Sequence, residues 1–398
     1  MRIRRIRAER FGAVVATDLP AALLSVDRAL ARRLGVDGAD LWRSRDPGLS
    51  LPVLSGPTEV HVATTERCAG GCVICYVDAV SHGHEPTTGE LTARLRAVAI
   101  QGAFNVTFGG GEPLGRPDLG DLALVARDLG MTPTLTTSGA GLTEARVAEL
   151  RAFAQVNVSV DLAGMPGAGR AQSVRAIELL CAGGVTVGVN AILTRAGFPH
   201  VEALASEVES IGASELQLLR LKPSGRAAPH YRRLSLGPDQ IAELPDLLAR
   251  LSGSRKMSIR VDCALIPFLV DRVPIDRMEA FGVLGCEAGR SLMTVDARGR
   301  ARPCSVWDGS LASAPSVLDA AWNSDETLGA MRRFARALPT PCADCAGRAV
   351  CRGGCRVVSL HVLGTPFAPD PECPRVRGPS VAAAPDPSDR SEGGIGDL

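Results

Sequence analysis

The sequence has almost no net charge, very little lysine and no long apolar run. Its 398 residues carry a formal charge of +1, so nothing draws the whole chain toward nucleic acid or an anionic membrane surface. No stretch reaches the roughly 18 uninterrupted apolar residues that predict a membrane-spanning helix. Lysine occurs only at Lys222 and Lys256, which we interpret as codon bias. What is left is a globular protein, as its 45% apolar residues also indicate.

The first residues also lack the pattern of a secretory signal peptide. The first twenty residues begin basic, but Asp18 and Pro20 interrupt them before an apolar core develops. The chain nevertheless contains twelve cysteines. A secreted disulfide scaffold would be shorter and would carry a signal peptide. We therefore expect a cytoplasmic protein whose reduced thiols bind metal.

Three cysteines lie together in the segment ERCAGGCVICYVD. Cys68, Cys72 and Cys75 form a C-x3-C-x2-C pattern, with two glycines before Cys72 that let the backbone wrap closely around a ligand. A cubane iron–sulfur cluster normally takes four cysteines, so three would leave one iron open to an amine and a carboxylate. The alternative is a zinc knuckle, with His82 or His84 as the fourth ligand.

The middle of the chain alternates between strand-like and helix-like patterns. Strands are predicted at residues 59–64, 104–108, 132–137, 155–160, 186–193 and 215–221. Helices are predicted at 87–101, 118–129, 144–153, 171–182 and 201–211, followed by a helix at 236–253 and a strand at 257–261. Six β/α units with parallel strands predict an α/β fold built on a partial (β/α)6 barrel. The site of such a barrel lies at the C-terminal ends of its strands.

A glycine-rich turn, FGGGEP, follows the second of these strands. Its glycines would let backbone groups approach a ligand closely, and Glu112 adds a carboxylate. Taken alone, such a run is typical of any tight turn between a strand and a helix. Polar residues that lie on or end the other strands could also contact a ligand, and their alternative role is ordinary capping or packing. These are Thr137, Ser138, Ser159, Asp161, Asn190 and Arg220.

The cysteine triplet and the glycine turn together resemble the signature of the radical S-adenosylmethionine (SAM) enzymes. The resemblance implies that the triplet holds a 4Fe–4S cluster whose fourth iron chelates SAM. An electron from the cluster would cleave SAM to methionine and a 5′-deoxyadenosyl radical, which abstracts hydrogen from the substrate. The family usually has an aromatic residue before the third cysteine, where this chain has Ile74, with Tyr76 on the other side.

The same resemblance implies which residues contact SAM. The backbone of the glycine turn would hold the amino group, and an apolar side chain near the third cysteine would pack against adenine. The loop before Arg170 is shorter than is usual in the family, so we assign no SAM contact there. The implied SAM-binding residues are Tyr76, Gly109, Gly110, Gly111, Glu112, Ser138, Ser159, Asn190 and Arg220.

A second group of seven cysteines lies between residues 286 and 373. Seven thiolates exceed one zinc site, and two four-ligand clusters would need eight. The spacing of these cysteines resembles the SPASM extension of radical SAM enzymes at all seven positions. Cys286 is followed by Gly299 and Cys304, and then by Cys342-x2-Cys345-x5-Cys351-x3-Cys355-x17-Cys373. By that resemblance Cys286, Cys304 and Cys355 hold a first auxiliary iron–sulfur cluster, and Cys342, Cys345, Cys351 and Cys373 hold a second. A pair of structural zinc ribbons is the alternative.

The first auxiliary cluster would then have three cysteine ligands. Residues 287–303 contain no cysteine, and we expect no fourth cysteine ligand, so that an open iron could bind substrate. Cys181 and Cys263 are isolated in the sequence, and single buried thiols usually behave as small hydrophobes. Asp296 and Asp308 flank this site and are candidates for an acid or a base.

The N-terminal segment, residues 1–55, is predicted to contain two strands, at 11–17 and 21–26, and a helix capped by Asp27. It resembles the start of a small peptide-recognition domain that is fused to many peptide-modifying enzymes. Such domains bind a leader peptide as an added strand. The alternative is a cap over the open side of the barrel.

These patterns predict four regions. They are a hairpin and helix at 1–55, a radical SAM partial barrel at 56–275, a SPASM domain with two auxiliary clusters at 276–377 and a disordered tail at 378–398.

The resemblance implies an enzyme that modifies a ribosomally synthesised peptide by cross-linking, oxidation, decarboxylation or epimerisation. A flavodoxin or ferredoxin would be the reductant, and the auxiliary clusters would accept an electron or bind substrate. One alternative is a dehydrogenase or epimerase of a small molecule, and another is a zinc-ribbon protein without catalysis.

Overall fold

The computed structural model describes residues 2–18, 20–38, 40–43, 54–162, 169–253, 255–280, 284–311 and 318–377. The predicted disordered tail lies outside these residues. No helix in the described ranges is long and apolar enough to cross a membrane.

The strands, β1 to β12, are Ile3–Glu9, Gly12–Asp18, Ala21–Asp27, Glu59–Thr65, Asn105–Gly110, Thr132–Thr137, Gln155–Val160, Val187–Leu193, Glu215–Arg220, Ser258–Val261, Leu292–Val295 and Ala301–Arg302. The helices, α1 to α14, are Arg28–Arg33, Thr88–Ile100, Leu119–Asp128, Glu144–Leu150, Arg170–Ala182, Val201–Ile211, Tyr231–Leu234, Pro238–Ser252, Ile275–Ala280, Leu318–Ser324, Glu326–Arg336, Arg348–Cys351, Arg356–Leu363 and Pro374–Arg377.

One sheet forms the centre of the molecule, with the strand order β10-β9-β8-β7-β6-β5-β4-β11-β12. Strands β4 to β10 are parallel, and the first six of them are those predicted for the (β/α)6 unit. Strand β10, predicted at 257–261, adds at one edge, and among the described strands the two edges do not join. The α/β fold with an open, partial barrel is therefore confirmed.

The two faces of this sheet differ in polarity. Side chains alternate between faces along each strand, and the apolar set packs against the helices; Leu91, Leu95 and Val98 of α2 are fully buried there, as predicted. The opposite face is polar, and Thr107 donates a hydrogen bond to Glu59 Oε1 (3.0 Å). In-register strand pairing places other polar residues on that face: Thr134, Asn157, Ser159, Asn190 and Gln217. The polar face is suited to a polar ligand.

The N-terminal sheet has three antiparallel strands in the order β1-β2-β3, one more than predicted. Strand β1 could not be predicted from the sequence, because its basic residues are equally typical of a solvent-exposed segment. Arg5 and Arg7 instead reach the barrel: Arg7 donates to the carbonyls of Pro57 (2.7 Å) and Gly102 (3.0 Å), and its guanidinium lies 5.2 Å from the ring centroid of Phe104. Strand β1 thereby fixes the small sheet to the end of the barrel where β5 begins.

The segment SLMTVDARGRARPC, whose sequence predicts a hairpin around Ala297–Gly299, forms β11 and β12, which pair antiparallel. Strand β11 also joins the barrel sheet, in parallel with β4, with Leu292 opposite Glu59 and Val295 opposite Val62. This pairing brings the residue after Cys304 to the polar face, where Ser305 Oγ lies 2.6 Å from His61 Nδ1. The cysteine-rich region therefore begins on the barrel itself.

Candidate functional site

The Cys68–Cys75 loop connects the end of β4 to α2 and is folded back on itself. Cys68 N donates to Val80 O (2.9 Å), and Cys75 N donates to Cys72 O (3.2 Å). Gly71 has φ +60°, a left-handed conformation that glycine adopts without strain. The three thiols are partly exposed on this closed loop.

The thiols of the loop interact electrostatically. Burial raises the pKa of the Cys68 thiol, and a hydrogen bond from Gly70 N (3.3 Å) opposes that rise. Glu112, Cys72 and Cys75 raise the pKa of Cys68 further through their charges. Clustered thiols of this kind fit a multi-iron group, which holds thiolates in their deprotonated form.

A segment after β9 clamps the same loop from the other side. Arg226 donates from Nε to Cys72 O (2.9 Å), from its backbone N to Cys75 O (2.9 Å) and from Nη1 to Asp78 Oδ1 (2.8 Å). Gly225, at φ +55°, passes so close that a Cβ would stand 2.5 Å from Cys75 O. This contact could not be predicted from the sequence, because nothing in the segment SGR distinguishes it from an ordinary turn.

The glycine turn divides into two parts. Gly111 N donates to Thr65 O (2.7 Å), and a Cβ on Gly111 would stand 2.2 Å from Arg67 O. A Cβ on Gly110, which has φ +112°, would stand 2.4 Å from Thr65 O. These two glycines therefore pack against the residues that lead into the cysteine loop. A Cβ on Gly109 would meet no described atom within 4 Å, so the turn offers its open side to a ligand at Gly109.

Glu112 and Ser138, which the sequence placed on neighbouring turns, are joined directly. The carboxylate of Glu112 accepts hydrogen bonds from Thr137 Oγ1 (2.5 Å), Ser138 N (2.9 Å) and Leu114 N (3.0 Å), and it is 8% exposed. Because these donors occupy both oxygens, Glu112 holds the end of β6 against the glycine turn. Its part in ligand binding is to position that turn.

Ser159 and Asn190 lie opposite each other on β7 and β8. Asn190 is 8% exposed, and its Oδ1 has no hydrogen-bond partner in the described part of the chain. A buried polar atom without a partner costs about 1–3 kcal/mol. A ligand that brings a hydroxyl or amine donor to Asn190 Oδ1 would remove that cost, so a polar ligand such as SAM fits this position.

Arg220 has a role other than the SAM contact that the resemblance implied. Its guanidinium donates to Asp370 Oδ2 (2.7 Å), Glu372 Oε2 (2.9 Å) and Ala264 O (2.8 Å). It also lies 4.5 Å from the ring centroid of Phe268. Arg220 thus uses its N–H groups to attach the cysteine-rich region, through Asp370 and Glu372, to the barrel.

Tyr76 lies near a cysteine of each group, Cys75 and Cys304. Burial and the neighbouring Cys75 raise the pKa of its phenol to about 12, and the charge of Cys304 adds to that rise. Lys222, which forms an ion pair with Asp262, opposes the rise. Tyr76 and Lys222 therefore occupy the region that connects the loop of Cys75 with Cys304.

The C-terminal cysteines influence one another's pKa within the two sets that the resemblance implied, and their grouping as cluster ligands stays a prediction. In the first set, burial, Cys286 and Cys355 raise the pKa of Cys304 to about 12. In the second, burial, Cys373 and Cys345 raise the pKa of Cys342 to about 11. The pKa of Cys351 is also raised, by burial, Cys373, Asp370 and Cys342. Among the described residues, no three His, Cys, Asp or Glu side chains are grouped as a site for a metal ion.

Asp296 serves the β11–β12 hairpin, whereas the sequence suggested an acid or a base. It accepts hydrogen bonds from Arg300 N (2.9 Å) and Arg302 Nη2 (2.9 Å). Burial would raise the pKa of Asp296, but the hydrogen bonds from Arg300 and the charges of Arg302 and Arg300 lower it on balance. Asp308 is exposed, and its Oδ1 lies 3.0 Å from Ser224 Oγ, beside the clamp on the cysteine loop.

Residues 62–200 match the family described as the Radical SAM superfamily. The chain carries a radical SAM domain and is an enzyme. Similar proteins include the PqqA peptide cyclase of Gluconobacter oxydans, 26% identical over 82% of this chain and 92% of that protein. The mycofactocin maturase MftC of Mycobacterium ulcerans is 29% identical over 80% of this chain and 88% of MftC. The AdoMet-dependent heme synthase of Oleidesulfovibrio alaskensis is 25% identical over 78% of this chain and 85% of that protein.

Solved structures share the fold over most of the chain. Streptococcus suis SuiB bound to its precursor peptide SuiA has a TM-score of 0.71 and 16% identity, covering 93% of this chain and 98% of SuiB. The enzyme anSMEcpe with bound AdoMet has a TM-score of 0.62 and 18% identity, covering 80% of this chain and 95% of that one. Both likenesses extend beyond the radical SAM domain.

The open side of Gly109 leads to a prediction about SAM. Gly109→Ala should weaken SAM binding about tenfold or more, a loss of about 1.4 kcal/mol, because the new methyl group would enter space that the protein leaves clear. The iron content should not change. Anaerobic calorimetric titration with SAM and an iron assay measure the two effects.

Gly115→Ala is the matched control, since Gly115 lies in the same turn and a Cβ there also meets no described atom. Gly111→Ala should behave differently and lower the iron content, because its Cβ would collide with the segment before Cys68. Normal SAM affinity in Gly109→Ala would show that SAM does not lie against this glycine.

Proposed function

We propose that this radical SAM enzyme modifies a ribosomally synthesised peptide. The observation that carries the proposal is the extent of its likeness to SuiB bound to a precursor peptide, 93% of this chain and 98% of SuiB. The likeness takes in more than the barrel. The PqqA peptide cyclase and MftC, which each match over about four-fifths of this chain, support a peptide as substrate.

The residues at the barrel's C-terminal edge fit the cofactors of this chemistry. Cys68, Cys72 and Cys75 would hold a 4Fe–4S cluster. The open side of Gly109 and Asn190 Oδ1, which has no hydrogen-bond partner among the described residues, suit SAM. When bound, this pair supplies the one-electron cleavage that generates an organic radical. Arg226 keeps the cysteine loop in place, and Glu112 keeps the glycine turn in place, so that the ligands meet a preformed site.

The C-terminal region would hold two auxiliary clusters. The electrostatic grouping of Cys286, Cys304 and Cys355, and separately of Cys342, Cys345, Cys351 and Cys373, supports two sites rather than one. Their role would be to accept an electron from the modified substrate, and a flavodoxin or ferredoxin would reduce the radical cluster. Thiols used in this way imply the reduced cytoplasm.

The N-terminal sheet supplies a surface for the leader of such a peptide. Strand β2 is central, so β1 and β3 are the two edge strands of this sheet. Because side chains of β1 are held by the barrel, we take β3 as the edge that accepts a further strand. Leu23 and Leu24 of β3 are 41% and 38% exposed. An outer strand has unpaired backbone groups, and an extended peptide can pair with them. We propose that the leader adds to β3 and that these leucines contact its apolar side chains.

Leu23→Glu tests this recognition. The variant should bind the precursor peptide about tenfold more weakly or worse, because a charge would replace an apolar contact beside the added strand. Leu124→Glu is the matched control, since Leu124 on α3 is also exposed (52%) and lies outside the N-terminal sheet. Peptide affinity is measured by fluorescence anisotropy with a labelled leader.

The function itself is tested with a candidate precursor peptide, sought as a short open reading frame beside the gene. Anaerobic protein, SAM and dithionite should yield 5′-deoxyadenosine together with a changed peptide mass. An unchanged peptide would favour a small-molecule substrate, which the likeness to a heme synthase keeps open. In that case Leu23→Glu and Leu124→Glu would not differ in peptide binding.

A further inference from the structure

We propose that Cys263 is the fourth cysteine ligand of the first auxiliary cluster, beside Cys286, Cys304 and Cys355. The inference rests on the proposed function, because that cluster is part of it. The sequence led to the expectation of three cysteine ligands. The position of Cys263 in the fold leads to the opposite expectation.

Cys263 lies in a tight turn directly after β10. Asp262 N donates to Leu218 O (3.0 Å), which extends the pairing of β10 with β9 by one residue. On the other side of the cysteine, Ala264 N donates to Asp262 Oδ1 (3.0 Å), and Leu265 N donates to Asp262 O (3.1 Å). The backbone is thus held on both sides of Cys263. The thiol has a fixed place at the C-terminal edge of the barrel.

A continuous set of hydrogen bonds ties this turn to Cys355. Arg220 Nη1 donates both to Ala264 O (2.8 Å) and to Asp370 Oδ2 (2.7 Å). The same oxygen of Asp370 accepts from Cys355 N (3.0 Å). Ala264 and Cys355 also belong to one buried apolar cluster, against which Cys304 packs. Two residues of the first cysteine set therefore share a small region with the turn that carries Cys263.

The thiols respond to one another's charge. The pKa of Cys263 is raised by burial, then by Asp262, Cys286 and Cys355, against the effect of Lys222. The pKa of Cys304 is raised by burial and by the same two cysteines, Cys286 and Cys355. Cys263 and Cys304 thus lie near the same two cysteines, Cys286 and Cys355.

Lys222 faces the same set. Its charge lowers the pKa of Cys263, of Cys304 and of Cys355. A cation therefore lies near three of the four thiols, and its ion pair with Asp262 holds it there.

Other candidates for the fourth ligand are already engaged or lie elsewhere. Asp262 accepts from Ala264 N with one carboxylate oxygen and from Lys222 Nζ with the other. Cys181 lies on α5 beside Gly212, and burial alone raises its pKa, without a contribution from another thiol. Asp308 is exposed next to Ser224.

A fourth cysteine changes what the first auxiliary cluster can do. Four thiolates saturate a cubane, so the substrate would have no iron to bind there. The cluster would then act in electron transfer, and substrate positioning would fall to side chains near Cys304 such as Tyr76 and Lys222.

The test uses protein that carries the auxiliary clusters alone. In full-length chain with Cys68, Cys72 and Cys75 replaced by alanine, Cys263→Ala is compared with Cys181→Ala. Each protein is assayed for iron and sulfide, and its reduced EPR spectrum is recorded with and without cyanide, which binds an iron that lacks a cysteine. Circular dichroism checks the fold.

We expect the Cys181→Ala control to hold about eight irons and to show no response to cyanide. Cys263→Ala should either lose up to about four irons or give a spectrum that cyanide shifts. Cys263→Ser, which preserves the size of the side chain, should keep the cluster with an altered spectrum.

Equal iron content and equal, cyanide-insensitive spectra in Cys263→Ala and Cys181→Ala would overturn the assignment of Cys263. A cyanide-sensitive control would also overturn it, because the cluster would then be open with Cys263 present. A control without iron would remove the proposed auxiliary clusters, and the inference with them.

Discussion

Replacing Cys68, Cys72 and Cys75 together by alanine is expected to abolish SAM cleavage and to leave the auxiliary iron in the protein. The three thiols stand on one closed loop and interact with one another, so the loop provides a single ligand set. The other proposed ligands lie on the C-terminal region and on the turn after β10. The iron content should therefore fall by about four per chain, and 5′-deoxyadenosine should not form above the rate without enzyme.

Cys181→Ala is the control for this prediction. Cys181 is a partly exposed thiol on α5, and no other thiol affects its pKa, so its loss should change neither iron nor SAM cleavage. Anaerobic incubation with SAM and dithionite, followed by chromatography of 5′-deoxyadenosine, measures the effect. Continued formation of 5′-deoxyadenosine by the triple variant would place the reactive cluster elsewhere in the chain.

The elements that could be predicted from the sequence are those with a local pattern. The parallel strands follow from alternation between short apolar segments and helical periodicity, and β5, β6 and β7 lie within a residue or two of the prediction. The cysteine triplet and the glycine turn are local motifs, and β4 and β5 bring them together. The two groups implied by the spacing of the C-terminal cysteines stay a prediction, which the mutual effects of these thiols on their pKa values support.

The contacts that could not be predicted join residues far apart in the sequence. Arg226 reaches Cys72, 154 residues away, and Arg220 reaches Asp370, 150 residues away. The sequence around each arginine does not reveal its distant partner, because an arginine after a strand is equally typical of a strand end that faces solvent. Strand β11 was predicted as half of a hairpin, but its parallel pairing with β4 depends on which edge of the barrel is free. Cys263 looked isolated for the same reason.

Arg220→Ala is expected to destabilise the protein by about 3–5 kcal/mol, the cost of breaking a buried ion pair from one side. Asp370 and Glu372 are 1% and 9% exposed, and Arg220 donates to both. Without the guanidinium, two carboxylates would remain close together in a buried region. Asp370 also accepts from Cys355 N, so the loss should loosen the first auxiliary site and lower its iron content.

Urea unfolding and the iron assay measure this prediction, with Arg260→Ala as the matched control. Arg260, on the adjoining β10, is 46% exposed and pairs with Glu215 at 3.3 Å, and an exposed pair contributes less than about 1 kcal/mol. Arg220→Lys keeps the charge but cannot bridge Asp370 and Glu372 with a planar fork, so its stability should fall between those of the wild-type protein and Arg220→Ala. If Arg220→Ala unfolds at the same urea concentration as Arg260→Ala and keeps its iron, the attachment of the cysteine-rich region to the barrel does not depend on Arg220. The apolar cluster around Ala264, Tyr231 and Val358 would then have to hold the two regions together.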